Sequence, residues 1–160
     1  MYVADIKFLT PKDLSQVLEL NSQIVNPWSD EIIEDDLNNN SIDEVSYIGA
    51  FATTLEAPLL GYAVLGSEHD VKGCGILMAL IVHRDYFRMG IGTQLILAVS
   101  DCAEYLRYKR IKLRVRKSNF GAIALYEKLS FRKESICEKY YSNGEDAFVM
   151  SSKIPVQIQV

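Results

Sequence analysis

Nine consecutive residues, Cys74 to Val82, carry no charged side chain. Bounded by Gly73-Cys74-Gly75 before and His83-Arg84-Asp85 after, the run reads as a central strand buried on both faces. Two glycines follow, in Gly90-Ile91-Gly92. From Thr93 the spacing of Leu95, Ile96, Val99, Cys102, Ala103 and Leu106 predicts an amphipathic helix of about four turns. A buried strand that turns through glycines into a helix places the chain among folds that mix strands and helices around one sheet.

The flanking segments extend this pattern. Residues 3–9 alternate apolar and polar, as a half-buried strand does. Thr10-Pro11-Lys12-Asp13 has the form of a helix start, with Thr10 as N-cap, Pro11 in the first helical position and Asp13 closing the box. Leu14, Val17, Leu18 and Ile24 continue that helix until Asn26-Pro27-Trp28-Ser29 breaks it. Ser29 caps a second helix carrying Ile32, Ile33 and Leu37. Strands are expected at 45–51 and 59–65 with a turn at Glu56-Ala57-Pro58, and at Ile111 to Val115. Ser118 opens a helix through Ile123, Leu125, Tyr126 and Leu129. Phe131 to Glu138 and Ala147 to Ser151 form a hairpin over Asn143-Gly144. The tail from Ile154 to Val160 alternates and would add a strand, within the chain or across a dimer. The order β-α-α-β-β-β-α-β-α-β-β predicts a single α/β domain over residues 1–160. The polar cluster Asn38-Asn39-Asn40-Ser41 is too short to divide it.

Composition removes several functional classes. Seventeen basic against twenty-one acidic side chains give 17 − 21 = −4, which argues against general nucleic-acid binding. With 49% hydrophobic residues the chain is not a disordered one. No stretch of about 18 apolar residues would span a membrane, and no basic start followed by an apolar run marks a leader. Cys74, Cys102 and Cys137 are widely spaced and far in sequence from His69 and His83. No structural zinc site is expected, and the odd, sparse thiols fit a reducing cytosol.

Chemistry concentrates in Arg88-Met89-Gly90-Ile91-Gly92-Thr93. Glycine lets backbone approach a ligand and take positive φ. The free amides and dipole of the following helix start favour an anion, and Arg88 adds charge, so a diphosphate would fit. The spacing matches neither a GxxxxGK[ST] phosphate loop nor a dinucleotide fingerprint. Taken alone it serves equally as a tight strand-to-helix turn.

The second half of the chain separates these readings. The glycine segment resembles the Q/R-x-x-G-x-G/A motif of the GCN5-related N-acetyltransferases. Leu113-Arg114-Val115-Arg116-Lys117-Ser118-Asn119, Ala122 to Phe131 and Tyr140-Tyr141-Ser142-Asn143-Gly144-Glu145-Asp146-Ala147 resemble its N-terminal (Nα) acetyltransferases, both the bacterial ribosomal-protein alanine type and the archaeal and eukaryotic catalytic subunits. The resemblance covers roughly residues 74–150. It implies a mixed sheet of about seven strands flanked by about four helices. It also implies acetyl-CoA as co-substrate without a metal, with protein or peptide N-termini, ribosomal or nascent chains among them, as acceptors. Leu80, Ile81 and Val82 would offer backbone groups to the pantetheine arm and an amide to the thioester carbonyl. Arg88, Met89, Gly90, Ile91, Gly92 and Thr93 would wrap the diphosphate, and Asn119 would hold the cofactor arm. Tyr126 would be the general acid for the leaving thiolate. Tyr140 and Tyr141 would line the substrate groove, with Glu31 as a specificity element. Each has a plainer role: core packing for Leu80 to Val82 and Tyr126, surface charge for Arg88, a helix cap for Asn119, strand aromatics for the two tyrosines.

Two positions depart from the family pattern. Phe87 stands where the motif carries Gln or Arg. Arg114 stands where bacterial relatives carry the glutamate read as general base, and arginine accepts no proton at neutral pH. Candidates for the missing base are Glu31, Tyr140 or Tyr141 through water, and His83. Arg114 itself would contact an acidic substrate residue or a second subunit. A free α-amine has a pKa of about 7.7–8.0 and lysine about 10.4, so a neutral amine at pH 7 costs roughly 1 kcal/mol for an N-terminus and roughly 4.6 kcal/mol for lysine. Loss of a base, worth on the order of 10²–10⁴-fold, is therefore tolerable for an α-amine and serious for lysine. The expectation is a cytoplasmic Nα-acetyltransferase working by direct transfer. The alternatives are an acetyltransferase of a small amine and a non-catalytic CoA-binding module.

Overall fold

The computed structural model describes residues 1–24, 27–39, 44–68 and 70–159. The expectations for Asn26, Asn40, Ser41, His69 and Val160 lie outside the described residues. In chain order the elements are β1 (Asp5–Phe8), α1 (Leu14–Asn21), α2 (Asp30–Asn39), β2 (Val45–Phe51), β3 (Leu59–Ser67), β4 (Cys74–Val82), α3 (Ile91–Tyr105), β5 (Arg110–Arg116), α4 (Phe120–Lys128), β6 (Arg132–Cys137) and β7 (Ala147–Lys153), with 3₁₀ turns at Pro11–Asp13 and Arg84–Tyr86. The sheet order is β1-β2-β3-β4-β5-β7-β6. β4 and β5 run parallel; β1–β2, β2–β3, β5–β7 and β6–β7 are antiparallel. The element order and mixed sheet expected from the sequence are those observed.

Contacts cluster into two compact units, one of residues 1–66 with 79–99 and one of residues 67–78 with 100–160. In the first, Leu9, Val17, Leu20, Ile33, Leu37, Tyr47, Phe51, Leu59, Tyr62, Val64 and Ile81 form the core. The Asp13 carboxylate accepts the Thr10 N–H at 2.8 Å, and Ser29 Oγ accepts the Ile32 N–H at 3.3 Å, so both expected helix starts are capped. α1 ends at Asn21, before Ile24. The buried Asn21 side chain donates to the Trp28 carbonyl at 2.8 Å and accepts the Trp28 N–H at 3.3 Å. This side-chain strap redirects the chain toward α2 in place of another turn. On α2, Ile33 and Leu37 are buried while Ile32 is exposed, so the apolar stripe is narrower than expected.

In the second unit the two-residue period of β5 sorts its side chains. Ile111, Leu113 and Val115 are buried with Ile123, Tyr126, Leu129, Phe131 and Met150. Arg110, Lys112, Arg114 and Arg116 alternate with them and share the opposite face. The hairpin expected over Asn143-Gly144 joins β6 to β7, with Gly144 at φ +86°. Residues 154–159 form no strand. Their N–H groups go elsewhere: Val156 donates to Ser100 Oγ at 3.0 Å, Gln157 to Ser130 Oγ at 3.1 Å and Gln159 to the Lys128 carbonyl at 2.7 Å. Alternation in this tail therefore reflects one buried side chain, Val156, rather than a ladder.

β4 also departs from expectation. Its ladder with β5 pairs Cys74 with Arg110, Gly75 with Ile111 and Ile76 with Lys112, and stops there. Beyond it Met78 is 48% exposed and Ala79, Leu80 and Val82 are only partly buried. The apolar run is a strand, but its second half is not buried on both faces, because it has lost its ladder with β5.

Candidate active site

One candidate region is the connection from β4 to α3. The His83 N–H donates to the Leu60 carbonyl at 2.8 Å, and His83 Nδ1 accepts the Asp85 N–H at 3.1 Å, which starts the 3₁₀ turn. His83 Nδ1 also lies 3.8 Å from the Asp85 carboxylate. After Phe87 the backbone turns left-handed twice, at Arg88 (φ +60°) and Gly90 (φ +84°). Glycine takes this region freely, whereas a non-glycine residue is held there at a cost of about 1–2 kcal/mol. α3 begins at Ile91, so Gly92 and Thr93 lie in its first turn rather than before it. The N–H groups of Ile91, Gly92 and Thr93 precede the first intrahelical donor, Gln94, which bonds the Gly90 carbonyl at 3.1 Å. These amides and the helix dipole make an anion-binding end with Arg88 beside it in sequence.

A second candidate region, within the other compact unit, lies on β5, α4 and the β6–β7 loop. Tyr140 and Tyr141 meet edge to face, with ring centroids 5.0 Å apart. The Arg114 guanidinium lies 5.4 Å from the Tyr140 ring centre, and that of Arg116 lies 3.9 Å from the Tyr141 ring. Such contacts hold a guanidinium and an aromatic face together. The loop is tied to the end of β5: Glu145 accepts the Ser118 N–H at 2.9 Å and pairs with Arg116 at 3.3 Å, and the Glu145 carbonyl accepts the Tyr141 N–H at 3.1 Å. The Ser118 contact, reinforced by Arg116, holds the Glu145 carboxyl below the usual carboxylate range. Asp146 accepts the Lys139 N–H at 2.9 Å and pairs with Lys117 at 3.7 Å.

The four cations of β5 are not equivalent. Glu134 faces Arg110 at 3.6 Å and Lys112 at 3.8 Å, and Glu145 faces Arg116. Among the described residues Arg114 has no carboxylate within ion-pair distance. Tyr126 is 7% exposed and packs its ring 5.8 Å from Phe131. Burial, with Tyr141 nearby, raises its hydroxyl pKa well above the ordinary tyrosine value, and burial raises that of Tyr141 as well. Asn119 caps α4, its side-chain oxygen accepting the Ala122 N–H at 3.2 Å. Glu31 is exposed on the first turn of α2, with no hydrogen bond or ion pair to the other candidates among the described residues.

Two features were missed in the sequence. Gln94 donates from its side chain to the Tyr2 carbonyl at 2.6 Å and to the Gly90 carbonyl at 3.0 Å, and accepts the Ala4 N–H at 2.9 Å. Its partners lie up to 92 residues away, so no local pattern reveals it. Glu145 belongs to the Tyr-Tyr-x-x-Gly-Glu-Asp-Ala run, but only its contact with Ser118 shows it to be a loop anchor.

The β4–β5 ladder thus stops short, and a left-handed turn through Arg88 and Gly90 leads into α3. A profile of the Acetyltransferase (GNAT) family matches residues 14–131, and the chain belongs to that family. An N-alpha-acetyltransferase of Saccharolobus solfataricus is 41% identical over 78 residues, covering 48% of this chain and 47% of that protein, so the chain spans about half the length of such relatives. The Escherichia coli ribosomal-protein-alanine N-acetyltransferase structure superposes with a TM-score of 0.78 at 28% identity, covering 94% of this chain and 93% of that one. An Arabidopsis thaliana NAA60 structure in complex with acetyl-CoA shares the fold, with a TM-score of 0.81 at 18% identity over 94% of this chain and 98% of that one. Among the described residues no helix is long and apolar enough to cross a membrane.

Proposed function

We propose that this acetyltransferase moves an acetyl group from acetyl-CoA to the α-amino group of protein or peptide N-termini. The observation that carries the donor half is the loop with left-handed residues at Arg88 and Gly90 that opens directly into α3. Its amides suit a diphosphate, and the backbone of Leu80, Ile81 and Val82 suits the pantetheine arm and the thioester carbonyl. Acetyl-CoA supplies an activated acyl group; the chain's task is to position it and to stabilise charge.

Tyr126 faces the leaving thiolate in this reading. Ordinary values of about 10 for tyrosine and about 8.5 for a thiol make full proton transfer uphill by roughly 2 kcal/mol, and burial of Tyr126 steepens it. Its hydroxyl therefore acts chiefly as a hydrogen-bond donor to the departing sulfur, and CoA leaves as the thiol, with the proton that the attacking amine gives up. Tyr140 and Tyr141, held by Arg114, Arg116 and Glu145, form the wall for the acceptor's first residues. With arginine at position 114, the acceptor arrives largely as free amine in this reading, which favours α-amines over lysine. The relatives named for α-amine acetylation support this choice, and the conditions of a cytoplasmic enzyme suit it.

The test is a panel of peptides beginning with Ser, Ala, Thr, Gly, Met-Leu and Met-Glu, each with an internal lysine, incubated with acetyl-CoA and read by mass spectrometry. Acetylation at the α-amine alone is expected. Modification of lysine alone, or of no peptide, overturns the reading and directs attention to small amines or to CoA binding without turnover.

A further inference from the structure

Residues near the start of the chain pack against the glycine loop. The Tyr2 N–H donates to the Met89 carbonyl at 2.9 Å. A methyl group built on Gly90 would lie 2.9 Å from Met1 Cγ, so the Met1 side chain sits against that glycine. The Gln94 amide completes the arrangement by donating to the Tyr2 and Gly90 carbonyls and accepting the Ala4 N–H. Two acceptors and one donor around this side chain set which end is nitrogen and which is oxygen: both amide hydrogens are donated and the oxygen accepts one bond. The carbonyls of both Met89 and Gly90 are thus taken by neutral donors.

We propose that Gln94 is a positioning residue for the anion-binding loop, joining residues 2–4 to the Met89–Gly90 backbone so that the loop holds its left-handed shape and presents amides, not carbonyls, to a diphosphate. This rests on the acetyl-CoA reading above. The physical reason is electrostatic. A carbonyl free to turn toward the ligand repels phosphate oxygens; the Gly90 carbonyl already takes the Gln94 backbone N–H at 3.1 Å, so the side chain acts by fixing residues 2–4, whose Tyr2 N–H engages the Met89 carbonyl. A loop carrying a left-handed arginine also needs outside contacts to keep its shape. Glutamine is specifically suited, because glutamate offers no donor when ionised and would set a negative charge beside the same site.

The experiment measures CoA affinity by calorimetry for the wild-type chain and for Gln94→Met, Gln94→Glu, Tyr2→Pro and Tyr2→Ala. Gln94→Met is expected to weaken CoA about tenfold, Gln94→Glu more, and Tyr2→Pro in the same direction, since it removes the N–H that holds Met89; Tyr2→Ala, which loses the ring on Tyr86 and the hydroxyl at Thr53 but keeps that N–H, is the control and is expected to bind CoA more tightly than Tyr2→Pro. The ratio of kcat/KM for acetyl-CoA to that for S-acetylpantetheine, which has no diphosphate, should fall about tenfold in Gln94→Met. CoA affinity within twofold of wild type in a folded Gln94→Met overturns the proposal, as does an equal loss with both donors. Should Gln94→Met not fold, Tyr2→Pro decides alone by the same criteria. Failure of the wild-type chain to bind CoA overturns the acetyl-CoA reading itself and the proposal with it.

Discussion

In the proposed reaction Tyr126 joins a chemical role to a packing one. It is buried beside Phe131 on helical spacing with Ala122 and Leu129, which is all that the sequence pattern alone supports. The same burial keeps its hydroxyl protonated across the neutral range, as a donor to a thiolate requires. Tyr126→Phe keeps the ring and removes only that hydroxyl. Steady-state kinetics should show kcat lowered by about a hundredfold, with CoA affinity and thermal midpoint unchanged. A normal kcat would leave Tyr126 a core residue and nothing more. Arg114 was legible as a departure because a basic residue stands where the family pattern places an acid. That Arg114, among the described residues, lacks the carboxylate given to Arg110, Lys112 and Arg116 was not legible, since Glu134 and Glu145 come from other elements.

At the scale of elements, caps and strands were readable and their limits were not. Thr10, Asp13 and Ser29 announced their helix starts through local chemistry. The early stop of α1 depends on Asn21 reaching Trp28, and the exposed end of β4 depends on where its partner stops pairing. Neither is written in the element's own residues. α4 poses the sharpest question of assignment, because Asn119 visibly caps it. Replacing an N-cap asparagine by alanine costs about 1 kcal/mol. Urea unfolding should show this loss for Asn119→Ala and little loss for Asn119→Ser, which keeps a capping oxygen. Should CoA affinity fall in both variants, Asn119 also holds the cofactor arm; should it survive in Asn119→Ser, the cap is its whole task.

The whole molecule carries a net charge of −4 and places four cations on one face of one strand. In the proposed reaction turnover depends on the charge state of the acceptor, because Arg114 stands where bacterial relatives carry a carboxylate. Without a base at that position, the rate follows the fraction of neutral α-amine. That fraction rises about tenfold per pH unit below the amine pKa of about 7.7–8.0 and levels above it. The profile of kcat/KM for a peptide should therefore climb through pH 6–7 and flatten above pH 8. A plateau already reached at pH 6 would show that another group removes the proton. The succession of strands and helices was legible throughout, since each element signals its own period. The two compact units were not, because they exchange segments at residues 67–78 and 79–99, a division set by long-range contacts.

The left-handed turn at Arg88 gives this enzyme an uncommon experimental convenience. At most positions, deleting a charge also disturbs the backbone that carried it. Residue 88 already occupies the region that glycine prefers, so Arg88→Gly discards the guanidinium while relieving, rather than adding, backbone cost. Shape and charge, usually entangled in a phosphate loop, can be varied here one at a time.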